Sequence, residues 1–425
     1  MRSEAHAQPS CRFCGAPLTR TFVDLGVMPL ANSYLDPAAL ERPEPAYPLH
    51  ARVCGVCRLV QVDDVVPAEE IFGDYAYFSS YSASWVAHAG RYAAMMQKRF
   101  DLTKRSRVIE VASNDGYLLK HFRDAGIGVL GVEPAANVAA AAQAEGIETR
   151  VAFFGRETAR MLRAEGIGAD VLVGNNVLAH VPKLNDFVAG LAIALKPEGV
   201  LTMEFPHLLR LIEEVQFDTI YHEHFSYFSL LTVEQVFARH RLRLFDVESL
   251  PTHGGSLRIF ACHADGRRHE PGPALERLRA EERRARLDTE VGYEGFAERV
   301  AEVRDGLLAF LSEQRAAGRR VAAYGAAAKG NTLLNYCGIG PDDIGFVVDV
   351  SPYKQGRLLP GSYIPIVAAD ALRRERPDYI LILPWNLKRE IMEQTAFIGD
   401  WGGRFVVAIP RIEIMPAQSA LQAAG

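Results

Sequence analysis

A regular alternation of apolar and helical segments between residues 107 and 205 is the feature that most constrains the fold. Segments of strand length and apolar composition cover residues 107–112, 129–134, 169–174 and 199–205. Parallel strands need crossover connections, usually helices, and strands that are buried on both faces are apolar throughout. The alternation therefore predicts an α/β fold built on a doubly wound parallel sheet.

Strand signals continue beyond this region. Residues 242–250 and 256–264 flank the turn 251–255, which predicts an antiparallel hairpin at the edge of the sheet. We interpret residues 195–199 as a helix end and turn before the fourth strand. Residues 265–318 are rich in Arg, Glu and Ala and predict helices with solvated charged faces that bridge two domains. Four further apolar segments predict a second, smaller Rossmann-like α/β unit, at residues 320–324, 345–349, 379–383 and 405–409.

Length and charge limit the class of protein. At roughly 150 residues per domain the chain holds two or three domains, and we place them at residues 1–70, 71–264 and 265–425. A net charge of −5 argues against a protein that grips a nucleic acid backbone. No apolar run reaches the ~18 residues of a membrane span, and the N-terminus does not resemble a signal peptide. We therefore expect a cytoplasmic protein with neither a nucleic acid nor a membrane partner.

Two C-x-x-C pairs predict a metal site near the N-terminus. Cys11 and Cys14 form the first pair, and Cys54 and Cys57 form the second. A C-x-x-C turn aims both sulfur atoms at a common point, and four thiolates complete a closed tetrahedron around a structural zinc ion. A redox dithiol and a zinc ribbon that contacts nucleic acid are the alternatives.

Residues 221–227 concentrate ionisable and aromatic side chains after the fourth strand. The segment begins with Tyr221, His222, Glu223 and His224. Ligands bind at the carboxyl edge of a parallel sheet, so a base and its orienting group could both come from this segment. A buried aromatic cluster with satisfied polar groups is the alternative. A His-Glu-x-x-His metal site is excluded, because the two histidines are not four residues apart.

Two other segments carry candidate ligand-binding residues. Residues 71–82 are rich in tyrosine and serine, including Tyr75 and Tyr77, whose hydroxyl groups suit a sugar or a packed helix start. The loop 325–332 follows a predicted strand and could place backbone N–H groups and Lys329 around a phosphate. It is not a Walker loop, since Lys329 precedes the glycine, and a tight packing turn is the alternative.

The first two strands and their loops resemble the cofactor site of class I methyltransferases, which use S-adenosylmethionine. Glu110 opens a degenerate form of the Glu/Asp-x-Gly-x-Gly loop of that family. Only Gly116 is kept, and Ala112 and Asn114 occupy the other small positions. Glu133 sits where the family has its ribose-binding acid. The residues that the resemblance assigns to S-adenosylmethionine are Glu110, Ala112, Asn114, Gly116, Glu133, Asn175 and Asn176.

The order of motifs along nearly the whole chain is similar to that of sugar C-methyltransferases, which make branched deoxysugars for bacterial natural products such as antibiotics. Zinc knuckles, a Tyr-rich segment, the degenerate methyltransferase core, Tyr-His-Glu-His and Gly-Ala-Ala-Ala-Lys-Gly-Asn-Thr occur in one order. The resemblance implies an enzyme that methylates C-3 of a dTDP-linked 4-keto-deoxysugar, often a 3-amino sugar. Some relatives methylate C-5 instead.

The same resemblance implies roles for individual residues. We expect His224 to be the base, and the residues expected around the sugar are Tyr221, Glu223, His180 and Tyr75. The further candidates for substrate binding are Tyr77, His253, Arg258, Lys329 and Asn331. Arg258 or Lys329, with the C-terminal loop, is expected at the diphosphate of the nucleotide. Zinc is expected to take no direct part, and the chain to be a monomer or a weak oligomer.

These residue types suit methylation of a carbon next to a ketone. The ketone at C-4 acidifies the C-3 proton, a base with a pKa near neutrality can remove it, and tyrosine or neutral histidine can donate to the enolate. A methyltransferase acting on RNA or another macromolecule would have clustered cations near the knuckles, where Arg52 and Arg58 give thin support. A nicotinamide-dependent sugar oxidoreductase lacks its G-x-G-x-x-G fingerprint here.

Overall fold

The structure, a computed structural model, describes residues 9–41, 43–67 and 79–417. Its strands are β1 (Arg20–Met28), β2 (Tyr47–Val53), β3 (Val60–Val62), β4 (Arg107–Val111), β5 (Gly128–Glu133), β6 (Thr149–Val151), β7 (Ala169–Asn175), β8 (Leu195–Pro206), β9 (Ser226–Tyr227), β10 (Leu242–Leu250), β11 (Ser256–His263), β12 (Val321–Tyr324), β13 (Val347–Val348), β14 (Ile366–Val367), β15 (Tyr379–Ile382), β16 (Arg404–Val407) and β17 (Glu413–Pro416).

The α-helices connect these strands. They are α1 (Ala83–Arg99), α2 (Leu119–Asp124), α3 (Ala136–Ala144), α4 (Arg156–Ala164), α5 (Leu184–Ala194), α6 (Leu208–Glu213), α7 (Leu230–Arg239), α8 (Pro273–Arg284), α9 (Phe296–Ala316), α10 (Ala328–Cys337), α11 (Ala371–Glu375) and α12 (Lys388–Gln394). Short 3-10 helices cover Pro37–Glu41, Ser79–Tyr81, Leu178–His180, Phe217–Thr219, Thr252–Gly254, Val291–Tyr293, Trp385–Leu387 and Ala396–Trp401. None of the helices in the described ranges combines the length and apolar character that crossing a membrane requires.

A seven-stranded sheet with the order β10-β11-β8-β7-β4-β5-β6 holds the middle of the chain. The strands β4 to β8 pair in parallel, while β10 and β11 add an antiparallel hairpin at the edge. Adjacent β4 residues pack into different core clusters, Val108 into one and Ile109 into the other. Both faces of the sheet are therefore covered, which confirms the predicted doubly wound α/β fold.

One predicted boundary in this sheet is wrong. Residues 195–199 are not a turn, because β8 begins at Leu195 directly after α5 ends at Ala194. Leu195 pairs with Ala169 of β7. A Cβ at Gly199 would come within 2.7 Å of the Ala169 carbonyl oxygen, so the glycine allows the two backbones to approach closely.

The N-terminal sheet has the order β1-β2-β3-β9 and combines two distant parts of the chain. The strands β1, β2 and β3 form an antiparallel meander, and the knuckle with Cys54 and Cys57 is the connection between β2 and β3. The fourth strand, β9, comes from residues 226–227 and pairs with β3. The zinc module therefore contacts the segment 221–227 through backbone hydrogen bonds.

The C-terminal sheet has the order β14-β13-β12-β15-β16-β17, parallel except for β17. This confirms the predicted second α/β unit. The bridging helix α9 is amphipathic, with buried residues such as Val300 and Leu307. Its Phe296 stacks on Phe22 of β1 with ring centroids 4.3 Å apart. One core cluster thus joins the N-terminal and C-terminal sheets, and the boundaries at residues 70 and 264 stay predictions.

Candidate active site

The four cysteines of the C-x-x-C pairs come together. The sulfur atoms of Cys11, Cys14, Cys54 and Cys57 lie within 4.8 Å of one another, and all four are free of disulfide bonds. A tetrahedral zinc ion with ~2.3 Å bonds holds its sulfur ligands about 3.8 Å apart. Gln61 Nε2 donates to Cys11 Sγ at 3.2 Å and so orients that thiolate. These residues fit a closed, structural zinc site.

The zinc module holds the segment 221–227 at several points. Beside the β3–β9 pairing, the backbone N–H of Val62 donates to the carbonyl of Phe225 at 3.2 Å. His222 Nε2 lies 3.2 Å from the carbonyl oxygen of Pro48. Burial lowers the pKa of His222, which favours its neutral form. The segment is therefore fixed by a sheet that lies outside the methyltransferase core.

His224 forms a hydrogen-bonded pair with Tyr221. Its Nδ1 lies 2.8 Å from the carbonyl oxygen of Thr219, and its Nε2 lies 2.8 Å from the Tyr221 hydroxyl. A carbonyl oxygen can only accept, so Nδ1 carries the proton and Nε2 accepts from the Tyr221 hydroxyl. Burial and the neighbouring His180 hold the pKa of His224 well below its ordinary value. His224 is thus neutral and oriented at physiological pH.

His180 and Glu223 lie beside this pair. The His180 ring meets the His224 ring edge to face, with centroids 4.6 Å apart, and burial lowers the pKa of His180 to about 4. Burial raises the pKa of Glu223 to about 7, although a hydrogen bond from Asn32 acts in the opposite direction. The structure therefore gathers four predicted catalytic residues in one place. Their catalytic roles stay predictions.

The loop between β4 and α2 supplies left-handed backbone with a single glycine. Ala112 and Asn114 adopt φ values of 53° and 50°, and Gly116 has a φ of 78°. Asparagine tolerates this conformation better than most residues, and glycine adopts it freely. A Cβ on Gly116 would also lie 2.9 Å from Ile147 Cγ1, so packing requires the one glycine that this loop keeps.

Two buried carboxyl groups flank the loop. Glu133 accepts from the backbone N–H groups of Asn114 and Ala135, both at 2.9 Å. Glu110 is 1% exposed, and neither of its carboxylate oxygens has a partner among the described residues. Burial, with the charge of Glu133, raises the pKa of Glu110 well above its ordinary value. Such a group is satisfied by a ligand with N–H or hydroxyl donors, so the residues fit S-adenosylmethionine.

Asn175 is the last residue of β7 and Asn176 follows it, at the end of the strand as predicted. Asn175 Oδ1 is buried with no partner in the described part of the chain, so it can also meet a ligand. Asn176 has a φ of 53°, and its Nδ2 lies 2.9 Å from Nε2 of His253. Asn176 therefore links the cofactor side of the sheet to the hairpin turn that carries His253. Burial lowers the pKa of His253 to about 4.

Arg258, a predicted substrate-binding residue, lies in a buried ion-pair cluster. Its side chain is almost fully buried, with Nη2 2.8 Å from Glu204 and Nη1 3.0 Å from Glu248. Glu204 also accepts from His88 Nε2 at 3.0 Å and from the Thr252 hydroxyl at 2.9 Å. Because two carboxylates already neutralise the guanidinium, this geometry argues against a contact with diphosphate. Arg258 instead stabilises the turn beside His253.

Lys329 lies in the first turn of α10. Its Nζ donates to Asn386 Oδ1 at 2.7 Å and lies 4.6 Å from the centre of the Trp385 ring. Burial lowers the pKa of Lys329, whereas the buried carboxylate of Asp218 raises it. Across the described ranges no carboxylate lies within salt-bridge distance of Lys329. Its ammonium group can therefore still receive an anionic ligand.

Other predicted residues have different outcomes. Asn331 is 1% exposed, and its amide donates to the carbonyl of Ala31, so it holds the loop of Ala31. Its contact with a substrate stays a prediction. Tyr75 and Tyr77 lie outside the described residues.

The sequence analysis missed two residues near the site. Asp218 is fully buried and accepts from Trp385 Nε1 at 2.7 Å. Its position three residues before Tyr221 was a signal that could have identified it. Asn32 donates to Glu223 Oε1 at 2.6 Å. It lies in an apolar loop of the zinc module, where no local pattern marks it as a site residue.

Comparisons with known proteins identify the family of the chain. Three family models match successive parts of the chain: a zinc binding domain at residues 11–72, a methyltransferase domain at 86–245 and a C-methyltransferase C-terminal domain at 251–410. C-methyltransferase NovU of Streptomyces niveus is 37% identical over 97% of this chain and 98% of its own. Ubiquinone biosynthesis O-methyltransferase of Rhodopseudomonas palustris (strain BisA53) is 24% identical over 31% of this chain and 60% of its own. Magnesium protoporphyrin IX methyltransferase of Synechocystis PCC 6803, solved with bound SAM, is 13% identical, with a TM-score of 0.33 over 46% of this chain and 88% of that one.

The fold and the site define an S-adenosylmethionine-dependent methyltransferase with an N-terminal zinc module. More particularly, the chain belongs to the family of C-methyltransferases that includes NovU. This confirms the family that the order of motifs indicated, the use of S-adenosylmethionine and the zinc site.

Proposed function

We propose that the enzyme methylates C-3 of a dTDP-linked 4-keto-deoxysugar during the biosynthesis of a branched deoxysugar. The observation that carries the proposal is the hydrogen-bonded pair of Tyr221 and His224, in which the Thr219 carbonyl leaves His224 Nε2 as an acceptor. Carbon next to a ketone becomes a nucleophile only after it loses a proton. A neutral, oriented base in a buried site serves that reaction, and NovU, which is named a C-methyltransferase, supports it.

The pair of Tyr221 and His224 acts as one base. Tyr221 is the more exposed residue of the two. Its oxygen takes the C-3 proton of the sugar as its own proton passes along the 2.8 Å hydrogen bond to His224 Nε2. The electron pair of the C–H bond becomes the enolate, whose charge rests on the C-4 oxygen. The resulting imidazolium keeps its Nδ1–H bond to Thr219.

The groups around this pair position the reactants. His180 is neutral because burial lowers its pKa to about 4, and its N–H meets the backbone of Glu223. Its ring packs edge to face on His224 and so fixes the orientation of that imidazole. Glu110, Glu133 and Asn175 hold S-adenosylmethionine at the carboxyl edge of the sheet. That cofactor supplies the methyl group that C-3 receives. Fixing both reactants on one sheet edge supplies much of the rate.

Lys329 is the proposed contact for the diphosphate. It lies in the first turn of a ten-residue helix, where the helix dipole also favours an anion. Arg258, the other predicted cation, is already paired with Glu204 and Glu248. We therefore assign the diphosphate to Lys329, because Arg258 is already neutralised by two carboxylates and Lys329 has no salt bridge among the described residues.

The test is the position of the transferred methyl group. We would supply methyl-13C S-adenosylmethionine with dTDP-4-keto-deoxysugars that carry a 3-hydroxyl or a 3-amino group, and locate the label by NMR. The proposal predicts a new carbon–carbon bond at C-3. A label at C-5 would identify the alternative position, and a label on oxygen or nitrogen would overturn carbon methylation of this substrate. Methylation of RNA without methylation of any sugar would favour the macromolecular alternative.

A further inference from the structure

The loop between β1 and β2 brings a residue of the zinc module to Glu223. Asn32 Nδ2 donates to Glu223 Oε1 at 2.6 Å, although 191 positions separate the two residues. Glu223 is 4% exposed. In the described ranges this is the only hydrogen bond from another side chain to the Glu223 carboxylate. A short bond to a buried carboxylate is a charge-assisted bond, which is stronger than a neutral one.

The other end of Asn32 is also held. The Tyr34 hydroxyl lies 3.3 Å from Asn32 Oδ1 and 2.6 Å from the carbonyl oxygen of Ala326. The Tyr34 hydroxyl has one proton, which it donates mainly in the shorter bond, to the Ala326 carbonyl in the loop before α10. Asn331 of α10 donates in turn to the carbonyl of Ala31. The loop is thus clamped against the C-terminal unit, and its clamps orient the Asn32 amide nitrogen towards Glu223.

We propose that Asn32 is a positioning residue that orients the Glu223 carboxylate and favours its ionised form, so that the zinc module forms part of the active site. The inference rests on the proposed function only in placing Glu223 in the site of methyl transfer. Asn32 itself does not contact the reacting atoms in this role. It acts through Glu223.

None of the other titratable groups described around Glu223 carries a positive charge that would stabilise its carboxylate. Tyr34 faces it from the loop, and burial raises the pKa of that phenol, which stays neutral. His180 approaches from the 3-10 helix Leu178–His180 and contacts the Glu223 backbone. His222 and His224, its neighbours in sequence, both have lowered pKa values because they are buried. The amide of Asn32 is therefore the main group that favours the carboxylate.

The test is a titration of the Glu223 carboxyl in full-length, zinc-loaded protein without substrate. Difference infrared spectroscopy would follow the protonated carboxyl band that disappears in Glu223→Gln. Asn32→Ala should move the midpoint to higher pH by about one to two units, because a hydrogen bond to a charged group is lost. Tyr34→Phe, which keeps the Asn32 side chain and releases its far end, should move it in the same direction by less.

Asn185→Ala is the matched control. Asn185 also donates from its amide to the zinc module, to the carbonyl of Phe13 at 2.8 Å, but it has no contact with Glu223. Its loss should leave the midpoint unchanged. An unchanged midpoint in Asn32→Ala, or an equal shift in Asn185→Ala, would overturn the inference. The titration needs no turnover, so failure of the sugar assay would leave this result intact and the two failures remain distinct.

The pH profile of methyl transfer gives a second readout. The part of the pH–rate profile that follows the ionisation of Glu223 should move to higher pH in Asn32→Ala. The displacement should equal that of the midpoint of the carboxyl titration. A loss of rate with no displacement of either limb would show a purely structural role for Asn32 and would overturn the inference.

Discussion

Glu223 links the stability of the protein to pH. Burial raises its pKa from 4.5 to about 7. Between these values the folded state keeps a proton that the unfolded state has released, so the free energy of unfolding falls as the pH rises through this interval. A shift of this size corresponds to about 3 kcal/mol at full ionisation. The active site therefore carries a cost in stability at neutral and higher pH.

Glu223→Gln should remove this cost. We expect its free energy of unfolding to equal that of the wild type near about pH 4 and to exceed it by up to about 3 kcal/mol near about pH 8. Urea denaturation at both pH values measures the difference. A variant that is destabilised equally at the two pH values would contradict the ionisation assigned to Glu223.

Arg258 and Lys329 should respond differently to loss of charge. Arg258→Met leaves the buried Glu204 carboxylate without its main cation, and we expect a loss of about 3–5 kcal/mol in the free energy of unfolding. Lys329→Met breaks no salt bridge among the described residues. It loses a hydrogen bond to Asn386, so its free energy of unfolding should fall by only about 1 kcal/mol, while KM for the nucleotide sugar should rise.

Each variant is the control for the other. Denaturant unfolding and steady-state kinetics of both proteins make the comparison. A stable Arg258→Met protein with a raised KM would restore Arg258 to the diphosphate, as the sequence analysis predicted. An unchanged KM in Lys329→Met would remove the proposed contact.

At the scale of elements, β3 connects the zinc site to the segment 221–227. The knuckle of Cys54 and Cys57 is the turn into β3, and β3 pairs with β9, two residues after His224. Glu110 and Glu133, the residues proposed to bind the cofactor, lie on a different sheet. Loss of zinc should therefore disturb the base more than the cofactor site.

Zinc removal tests this division. We expect chelated protein to lose turnover by roughly 100-fold, since a small displacement of a catalytic group has effects of that size. Its affinity for S-adenosylmethionine, measured by calorimetry, should stay within a few-fold of the zinc-loaded value, and added zinc should restore turnover. Full turnover by protein with no bound zinc would contradict the role given to β3.

Local patterns of apolar residues were enough to predict most of the fold. Apolar strands between helices predicted the central sheet, its edge hairpin and the C-terminal α/β unit, because burial of both sheet faces imposes that composition. The turn predicted at residues 195–199 is wrong because β8 runs through Pro197 and Gly199, where its register with β7 shifts. Edge and close-approach positions of a strand tolerate both residues.

Across the whole molecule, what the sequence did not predict are contacts between distant segments. Glu223 and Ala326 come from distant parts of the chain and are linked through Asn32, which donates to Glu223, and Tyr34, whose hydroxyl donates to the Ala326 carbonyl. No periodicity or spacing records such a meeting. The pairing of Arg258 with Glu204 was missed for the same reason, because a buried cation and a ligand-binding cation look alike in sequence. The residues 221–227 could be identified because their chemistry is concentrated in one stretch.

The most direct test of the central claim is proton exchange at the carbon next to the sugar ketone. The protein, a dTDP-4-keto-deoxysugar and S-adenosylhomocysteine would be incubated in heavy water, and deuterium uptake followed by NMR. We predict exchange at C-3 in the wild type, its loss in His224→Asn with S-adenosylhomocysteine affinity retained, and wild-type exchange in His240→Asn, a histidine paired with Asn185 away from the site. Undiminished exchange or methyl transfer in His224→Asn would contradict the account.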